Sequence, residues 1–232
     1  MGLFWWRCDA SSSSKMINSE GRICLTAGST SRRSRSSFKN KKLSRSFFRQ
    51  PATELAKELI GKILVRHIHG QTLRARVVET EAYLGPQDLA SHAARGRTRR
   101  TEVLFGAPGH AYVYLIYGMY EMLNVVAGAV GEAQAVLIRS AQPLDGWTAD
   151  LSGPGKLTRA SQITRSENGV DLTGAQLYFL DDAHYQPRVI STKRIGIDYA
   201  AQWKDAPLRF VDSSLATRAR RREVKPKRPQ PH

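Results

Sequence analysis

Between residues 51 and 215, short apolar runs alternate with turn-forming residues, and few runs are long enough to suggest a helix. Runs of this length that are rich in Val, Ile and aromatic residues are typical of strands joined by short turns. We therefore expect a single α+β domain built on a curved, largely antiparallel β-sheet with short flanking helices. Strands are predicted at 63–68, 71–83, 111–116, 122–126, 135–140, 177–180 and 189–197.

The helices should be few and short. A first helix is predicted between Pro51 and Gly61, with Thr53 as its N-terminal cap and apolar residues at helical spacing. Further helices are predicted at 89–94 and 157–163. The segment GPGK at 153–156 could offer backbone amides and one ammonium group to a phosphate, but it lacks the spacing of a nucleotide-triphosphate loop.

The positive charge is concentrated at the two ends of the chain. The formal net charge is +16, of which residues 1–50 carry +9 and residues 216–232 carry +6, so that residues 51–215 are close to neutral. We predict a disordered basic Ser/Arg-rich tail at 1–42, a folded domain at 43–215 and a second disordered basic tail at 216–232. The first 42 residues also fit an organelle transit peptide, or a translation start assigned too early.

Several functional classes are excluded by composition. Cys8 and Cys24 are the only cysteines, so the rest of the chain has no disulfide framework, thiolate-zinc site, iron–sulfur cluster or cysteine nucleophile. No stretch approaches 18 consecutive apolar residues, so no membrane span is predicted. A pI near 10.3 suggests attraction to phosphates that does not depend on nucleotide sequence.

The segment RVVETEAY at 76–83 concentrates acidic and aromatic side chains. In an extended strand, alternate residues point to opposite sides. The set expected to face the core is Val78, Thr80, Ala82 and Leu84, and the set expected on the other face is Glu79, Glu81 and Tyr83. This second face fits a general base beside an aromatic wall, where a water could be activated next to a stacked ring. The alternative is an exposed strand face with ordinary solvated carboxylates.

A second cluster, AYVYLIYGMYEMLN at 111–124, is rich in tyrosine. Tyr112, Tyr114 and Ile116 should share one strand face, while Tyr117 and the glycine after it have turn chemistry. The return strand then carries Asn124. An exposed tyrosine at a hairpin tip has little to pack on, which suggests a ligand, although half-buried core tyrosines are the commoner arrangement.

A basic loop follows His92. Residues 95–100 contain four arginines and no acid, which suits contacts with phosphate groups; a solvated loop without such contacts is the alternative. His92 by itself is weak evidence, because an isolated histidine is more often structural. No individual role is assigned to the arginines of this loop.

Five segments resemble the alkyladenine (3-methyladenine) DNA glycosylase family. They are VETEAYLGP (78–86), HAYVYLIYGMY (110–120), AVLIRS (135–140), GPGK (153–156) and RIGID (194–198). Residues 47–48 and 59–62 extend the resemblance, which covers roughly 43–212 in order. It implies a DNA glycosylase domain at 43–215 and an enzyme of base excision repair. Such an enzyme flips alkylated or deaminated purines, such as 3-methyladenine, 7-methylguanine or hypoxanthine, out of duplex DNA and hydrolyses the N-glycosidic bond.

The resemblance also implies catalytic roles. Glu81 matches the family's catalytic carboxylate, which activates the attacking water and stabilises the developing charge on the sugar, and Glu79 does not. Arg139 and the backbone carbonyl of Ile195 match the groups that hold this water. The hypothesis requires a Glu81 carboxylate that is close to the rings of Tyr83 and Tyr114 and is not sealed in the interior. No cofactor or metal is needed, and no lysine stands out as a Schiff-base nucleophile, so no lyase activity is expected.

The remaining matched positions concern recognition. Tyr83, His92 and Tyr114 correspond to pocket walls that sandwich or hydrogen-bond the flipped base. Asn124 corresponds to the residue that crowds the exocyclic amino group of normal guanine. Tyr117 corresponds to the wedge that fills the vacated stack from the minor groove, where an inserted ring offsets the cost of unstacking.

The expected partner is double-stranded DNA containing damaged purines, bound by a monomer that does not contact membranes. The expected location is the bacterial cytoplasm, or the nucleus or an organelle in a eukaryote. Two other classes stay open: a basic nucleic-acid-binding module without enzymatic activity, and a hydrolase of free nucleosides that uses similar water activation.

Overall fold

An antiparallel sheet of eight strands organises residues 40–215, which are the residues described by the computed structural model. Most of the two predicted tails lies outside the described residues. Lys42, at the edge of the N-terminal one, forms an isolated β-bridge with Leu180. None of the helices within 40–215 has the length and apolar character needed to cross a bilayer.

The elements assigned within residues 40–215 are three α-helices, eight strands and several short 3₁₀ turns. The strands are β1 (Ile63–Ile68), β2 (Gln71–Tyr83), β3 (Ala111–Ile116), β4 (Tyr120–Ala127), β5 (Gln134–Pro143), β6 (Leu177–Leu180), β7 (Val189–Thr192) and β8 (Arg209–Asp212). The helices are α1 (Arg45–Phe48), α2 (Ala52–Leu59) and α3 (Pro154–Ala160). The strand order is β3-β4-β5-β2-β1-β6, and β8 pairs with both β2 and β7. The predicted α+β class with a curved antiparallel sheet is confirmed.

Helix α2 packs its apolar side on the sheet through Leu55, Ala56 and Leu59, which have no exposed surface. Its predicted cap is wrong, because the helix begins one residue before Thr53 and Pro51 occupies the capping position. The Gln134 side chain of β5 accepts a hydrogen bond from the first helical N–H at 2.8 Å. A contact from a distant strand therefore satisfies an amide that a local side-chain cap was expected to satisfy.

Strand β2 departs from simple alternation near its middle. The β2–β5 ladder shifts register on either side of Glu79, which leaves Val78 and Arg139 without direct partners. Such irregularities bend a strand and re-aim its side chains. As a result Val77, not Val78 as predicted, is fully buried in the core, while Thr80 and Ala82 keep the predicted inward orientation. Glu79, Glu81 and Tyr83 remain on the opposite face.

The hairpin between β3 and β4 is formed as predicted. Tyr117 and Gly118 both have positive φ angles, 52° and 69°, and together with Met119 they form the three-residue loop between the paired residues Ile116 and Tyr120. Because β3 and β4 pair residue by residue up to Ile116 and Tyr120, the turn holds Tyr117 at the tip.

Three other predicted elements differ from the structure. Helix α3 starts three residues earlier than predicted, because Pro154 provides its first residue after the extended Gly153. The predicted helix at 89–94 is only a 3₁₀ turn, and the predicted strand at 189–197 ends at Thr192. In α3, a Cβ atom on Gly155 would lie 2.7 Å from the Tyr120 ring, so only glycine allows α3 to approach β4 this closely. Strand β8 was not predicted.

Candidate active site

A cavity of about 250 Å³ lies on the face of the sheet opposite α2. Its walls come from β2, β3, β4 and β5, from the loop before the first 3₁₀ turn, and from the loop after β7. Seven of the eight predicted site residues line it: Tyr83, His92, Tyr114, Tyr117, Asn124, Arg139 and Ile195. The eighth, Glu81, lies directly behind this lining.

The Glu81 carboxylate is held by donors from three parts of the fold. Its Oε2 accepts hydrogen bonds from the Tyr83 hydroxyl at 3.0 Å and from Arg139 Nη1 at 3.3 Å. Its Oε1 accepts one from the backbone N–H of Ile195 at 2.9 Å. The side chain has no exposed surface. The predicted proximity of Glu81 to Tyr83 is found. The prediction that the Glu81 carboxylate is not sealed in the interior is wrong for this structure, because Tyr83, Arg139 and the loop that carries Ile195 enclose it completely.

Burial dominates the electrostatics of this carboxyl group. Loss of hydration raises the pKa of Glu81 above its usual value, and the nearby Arg139, the Ile195 amide and the Tyr83 hydroxyl pull it partly back. The negative charge of Glu79 adds to the increase. Burial beside Glu81 also raises the pKa of Tyr83, so that its hydroxyl stays protonated and can donate.

Arg139 is shared between two carboxylates. Its Nε donates to Glu79 Oε1 at 3.0 Å, while its Nη1 reaches Glu81. The same Glu79 oxygen also accepts a hydrogen bond from Nε of Arg209 on β8 at 2.6 Å. Two carboxylates and two guanidinium groups thus form a hydrogen-bonded chain that reaches the lining of the pocket at Arg139.

Three aromatic rings form one wall. The His92 ring lies 4.4 Å from that of Tyr114 between centroids, and its Nδ1 is 2.9 Å from the Tyr112 hydroxyl. Burial, together with Arg100 and Arg95, lowers the pKa of His92 to about 4. His92 is therefore neutral at pH 7, and its second ring nitrogen offers either one hydrogen-bond donor or one acceptor to an occupant of the pocket.

Asn124 lies deep in the pocket and is almost fully buried. Its side-chain Nδ2 donates to the backbone carbonyl of Tyr112 at 3.1 Å and to that of Met122 at 3.3 Å. Both bonds fix the amide against the β3–β4 hairpin. A rigid polar group at this position can discriminate between occupants by their shape and their donors.

The mouth of the pocket carries exposed apolar side chains. Tyr117 is 84% exposed and Tyr199 is 70% exposed, and both line the cavity. Ile195 is half exposed beside them. Exposed rings beside a cavity mark a surface that binds another molecule.

A buried ion pair, not predicted from the sequence, holds the pocket segments together. Arg194 donates two hydrogen bonds to Asp88, at 2.6 and 2.9 Å, and both side chains have no exposed surface. Arg194 also donates to the Ala82 carbonyl, and its guanidinium lies 4.8 Å from the centre of the Tyr83 ring. The sequence contained Arg194 in a segment used for the resemblance, but nothing in it indicated that Asp88 would be the partner.

The basic loop at 95–100 has mixed contacts. Arg97 pairs with Glu102 on the surface, and Arg100 lies over the Tyr114 ring at 5.5 Å. The predicted phosphate contacts of this loop stay a prediction. Lys156, in the other segment considered for phosphate, lies inside the first turn of α3 and pairs with Asp150.

Within residues 40–215, no group of three or more His, Cys, Asp or Glu side chains is arranged to hold a metal ion. That the reaction needs no metal or cofactor stays a prediction. The site instead combines ring-lined walls, a rigid amide and a buried carboxylate with three hydrogen-bond donors. Such an arrangement could receive a flat, unsaturated ring close to a carboxylate.

Comparison with known proteins narrows this class to one family. The family model for methylpurine-DNA glycosylase matches residues 46–215. A protein of Anaeromyxobacter sp. (strain Fw109-5) is 46% identical over 171 residues, which cover 73% of this chain and 88% of the relative. A protein of Desulfitobacterium hafniense (strain Y51) is 42% identical over 193 residues, covering 73% and 94%. Each carries the name "Putative 3-methyladenine DNA glycosylase".

The chain belongs to the methylpurine-DNA glycosylase family. This confirms the family predicted from the sequence, and with it the general class of a hydrolase that acts on N-glycosyl bonds in base excision repair of DNA.

Proposed function

We propose that this protein flips alkylated or deaminated purines out of duplex DNA and hydrolyses their N-glycosidic bond with a water activated by Glu81. The proposal is carried by one observation, the buried Glu81 carboxylate held behind a ring-lined pocket by Tyr83, Arg139 and the Ile195 amide. The substrates are of the 3-methyladenine, 7-methylguanine and hypoxanthine type.

The hydrogen bonds of Glu81 leave one acceptor position of the carboxylate unused. A carboxylate offers about four lone-pair positions, and three of them are used by protein donors. The remaining position would take the water, and Arg139 would orient it together with the Ile195 carbonyl. As the glycosidic bond lengthens, the sugar gains oxocarbenium character, which the same carboxylate stabilises.

Access to Glu81 requires a small movement, because the carboxylate is fully buried. Tyr83 and the loop that carries Ile195 separate it from the cavity, since both residues line the cavity and donate to the carboxylate. We infer that insertion of a base shifts one of these two covers and admits the water. This order of events would keep the base form of Glu81 dry until a substrate is in place.

The walls and the hairpin tip supply recognition. Tyr83, His92 and Tyr114 would hold the flipped purine, and an alkylated, positively charged ring gains attraction to these ring faces that a neutral base lacks. Asn124 would exclude normal guanine by crowding its amino group. Tyr117 would fill the vacated position in the base stack, where an inserted ring offsets part of the cost of flipping.

The residues favour a reaction without strand cleavage. A lyase reaction needs an amine that attacks the sugar, and no lysine is among the residues that line the cavity. The protein is expected to act as a monomer on double-stranded DNA, with residues 43–215 as its catalytic domain.

Base release from alkylated duplex DNA tests the function. The protein should release free methylated purine from duplex DNA and leave the strand intact, and Glu81→Gln should bind the lesion while its rate of release falls by about 100-fold or more. Full activity of Glu81→Gln would remove this residue from the mechanism. Release from free nucleoside, with none from duplex, would instead support a nucleoside hydrolase. Binding without release from either substrate would support a binding module.

A further inference from the structure

Glu79 is a second carboxylate next to the pocket, bound to Arg139, and the mechanism above gives it no role. Its side chain is largely buried, and one of its oxygens accepts hydrogen bonds from two guanidinium groups, Arg139 at 3.0 Å and Arg209 at 2.6 Å. Glu79 thus lies between two arginines from different strands, which is not the environment of an ordinary solvated carboxylate. Arg139 lies on β5 and Arg209 lies on β8.

The contact with Glu79 determines which nitrogen atom of Arg139 is left to contact Glu81. Arg139 uses its Nε for Glu79, so it reaches Glu81 only through Nη1 and at the longer distance of 3.3 Å. A guanidinium group that is free to turn forms two parallel hydrogen bonds with a carboxylate, which is the stronger arrangement. In the structure Glu79 competes for that cation and keeps the contact with Glu81 single.

We propose that Glu79 is a positioning residue that holds Arg139 away from a two-bond contact with Glu81 and so keeps Glu81 available as a base. The proposal rests on the proposed role of Glu81 in water activation. Arg209 completes the arrangement because it balances the charge of Glu79.

The charged and titratable groups around Glu81 give the sign of the effect. They are Tyr83 and Glu79 on β2, Arg139 on β5, Tyr114 on β3 and, bound to Glu79, Arg209 on β8. Replacing Glu79 with glutamine removes a negative neighbour and frees Arg139 for Glu81. Both changes lower the pKa of Glu81 and make its carboxylate a weaker base.

The experiment combines a direct titration with a rate profile. The carboxyl pKa of Glu81 is measured by carbon-13 NMR in the wild-type protein and in Glu79→Gln, with the signal assigned by its loss in Glu81→Gln. We expect a lower pKa in Glu79→Gln. We also expect the acid limb of the base-release profile to move to lower pH, with a plateau about three- to tenfold lower because the base is weaker.

Two further variants keep the test decisive. Arg209→Gln removes the other partner of Glu79, so Glu79 should hold Arg139 more tightly and the pKa of Glu81 should rise. Glu54→Gln makes the same chemical change at an exposed pair with Lys57 on α2 and should leave the pKa of Glu81 unchanged. Shifts of the pKa of Glu81 in opposite directions in Glu79→Gln and Arg209→Gln support the proposal. If Glu79→Gln does not fold, the pKa of Glu81 in Arg209→Gln still tests the proposal.

An unchanged or raised pKa of Glu81 in Glu79→Gln, or a lowered one in Arg209→Gln, overturns the proposal. A loss of thermal stability in Glu79→Gln with an unchanged pKa also overturns it, because a purely structural role predicts that result. The NMR titration needs no substrate, so a wild-type protein that releases no base would reject the proposed function while the positioning by Glu79 is still measured.

Discussion

At the residue scale, the two carboxylates that contact Arg139 differ in their neighbours. Glu81 is fully buried and accepts three hydrogen bonds, whereas Glu79 keeps some exposure and is bound by two guanidinium groups. A buried carboxylate is tolerated only when donors replace its lost hydration. Each of the three donors to Glu81 forms one hydrogen bond, and together they offset only part of the effect of burial, so the pKa of Glu81 stays raised.

The hydroxyl of Tyr83 tunes this basicity. Tyr83→Phe keeps the ring and removes the hydroxyl that donates to Glu81 and lowers its pKa. The pKa of Glu81 should therefore rise. As the pH is lowered, the rate of base release should begin to fall at a higher pH than in the wild-type protein. On the acidic side the rate should fall roughly fivefold, which corresponds to about 1 kcal/mol.

Pre-steady-state measurement of base release between pH 5 and 8 checks this prediction. Tyr178→Phe is a suitable control, because Tyr178 lies on β6 and its hydroxyl contacts His67 outside the pocket. An acid limb that moves to lower pH in Tyr83→Phe would contradict the hydrogen bond that we describe.

The sequence predicted which side chains share a face but not their burial. Glu79, Glu81 and Tyr83 were placed together because their spacing along β2 allows it, and their contacts confirm it. The zero exposure of Glu81 depends on the loop that carries Ile195, 114 positions away in the chain. No local pattern indicates that a backbone amide from such a distance closes over the carboxylate.

At the element scale, the strands were predicted better than the helices and loops. Long runs with alternation, such as β2 and β3, were found with the predicted bounds. The turns around residues 89–94 were predicted as a helix because their composition fits one, but contacts of Asp88 with two backbone N–H groups turn the chain instead. Strand β8 is only four residues long, and it forms because β2 and β7 are available for pairing.

The β3–β4 turn should act in binding and contribute little to stability. Tyr117→Ala removes an exposed ring from the hairpin tip, so the unfolding free energy should change by no more than about 0.5 kcal/mol. Its affinity for a lesion-containing duplex should fall by about tenfold or more, because an inserted ring offsets the cost of unstacking.

Fluorescence anisotropy with lesion-containing and intact duplexes measures this effect. Val130→Ala is the matched control, since Val130 is also exposed but lies beyond the other end of β4. Equal loss of affinity in both variants, or none in Tyr117→Ala, would reject the wedge role.

The Asp88–Arg194 pair joins three pocket segments, so its loss should lower the stability of the whole domain. Asp88→Asn leaves the Arg194 guanidinium buried without its counter-charge, which should lower the unfolding free energy by about 3–5 kcal/mol. Asp181→Asn, at the partly exposed pair with Lys62, should cost only about 1 kcal/mol or less.

Urea unfolding of the wild-type protein and both variants checks the prediction, with the m-value showing whether the transition remains comparable. A cost for Asp88→Asn that is no larger than the cost for Asp181→Asn would show that the buried pair does not hold the pocket segments together.

At the scale of the whole molecule, the positive charge is distributed unevenly along the chain. Residues 51–215 have a net charge close to zero, while the segments before and after them carry +9 and +6. Contacts with phosphates position a protein on DNA without reading its sequence, and they weaken with salt. We infer that the basic ends supply attraction to the duplex and that the pocket supplies selection of the base.

Removing residues 216–232, which lie outside the described residues, tests this separation. The segment carries seven Lys and Arg side chains and one Glu, and each phosphate neutralised on duplex DNA contributes about 0.9 to the slope of log affinity against log salt. If about half of these cations contact phosphates, the slope should become shallower by roughly 3. Single-turnover base release at saturating protein should be unchanged, because the described pocket is built within 40–215. Titrations of intact duplex between 50 and 200 mM salt would show an unchanged slope if this segment does not contact DNA.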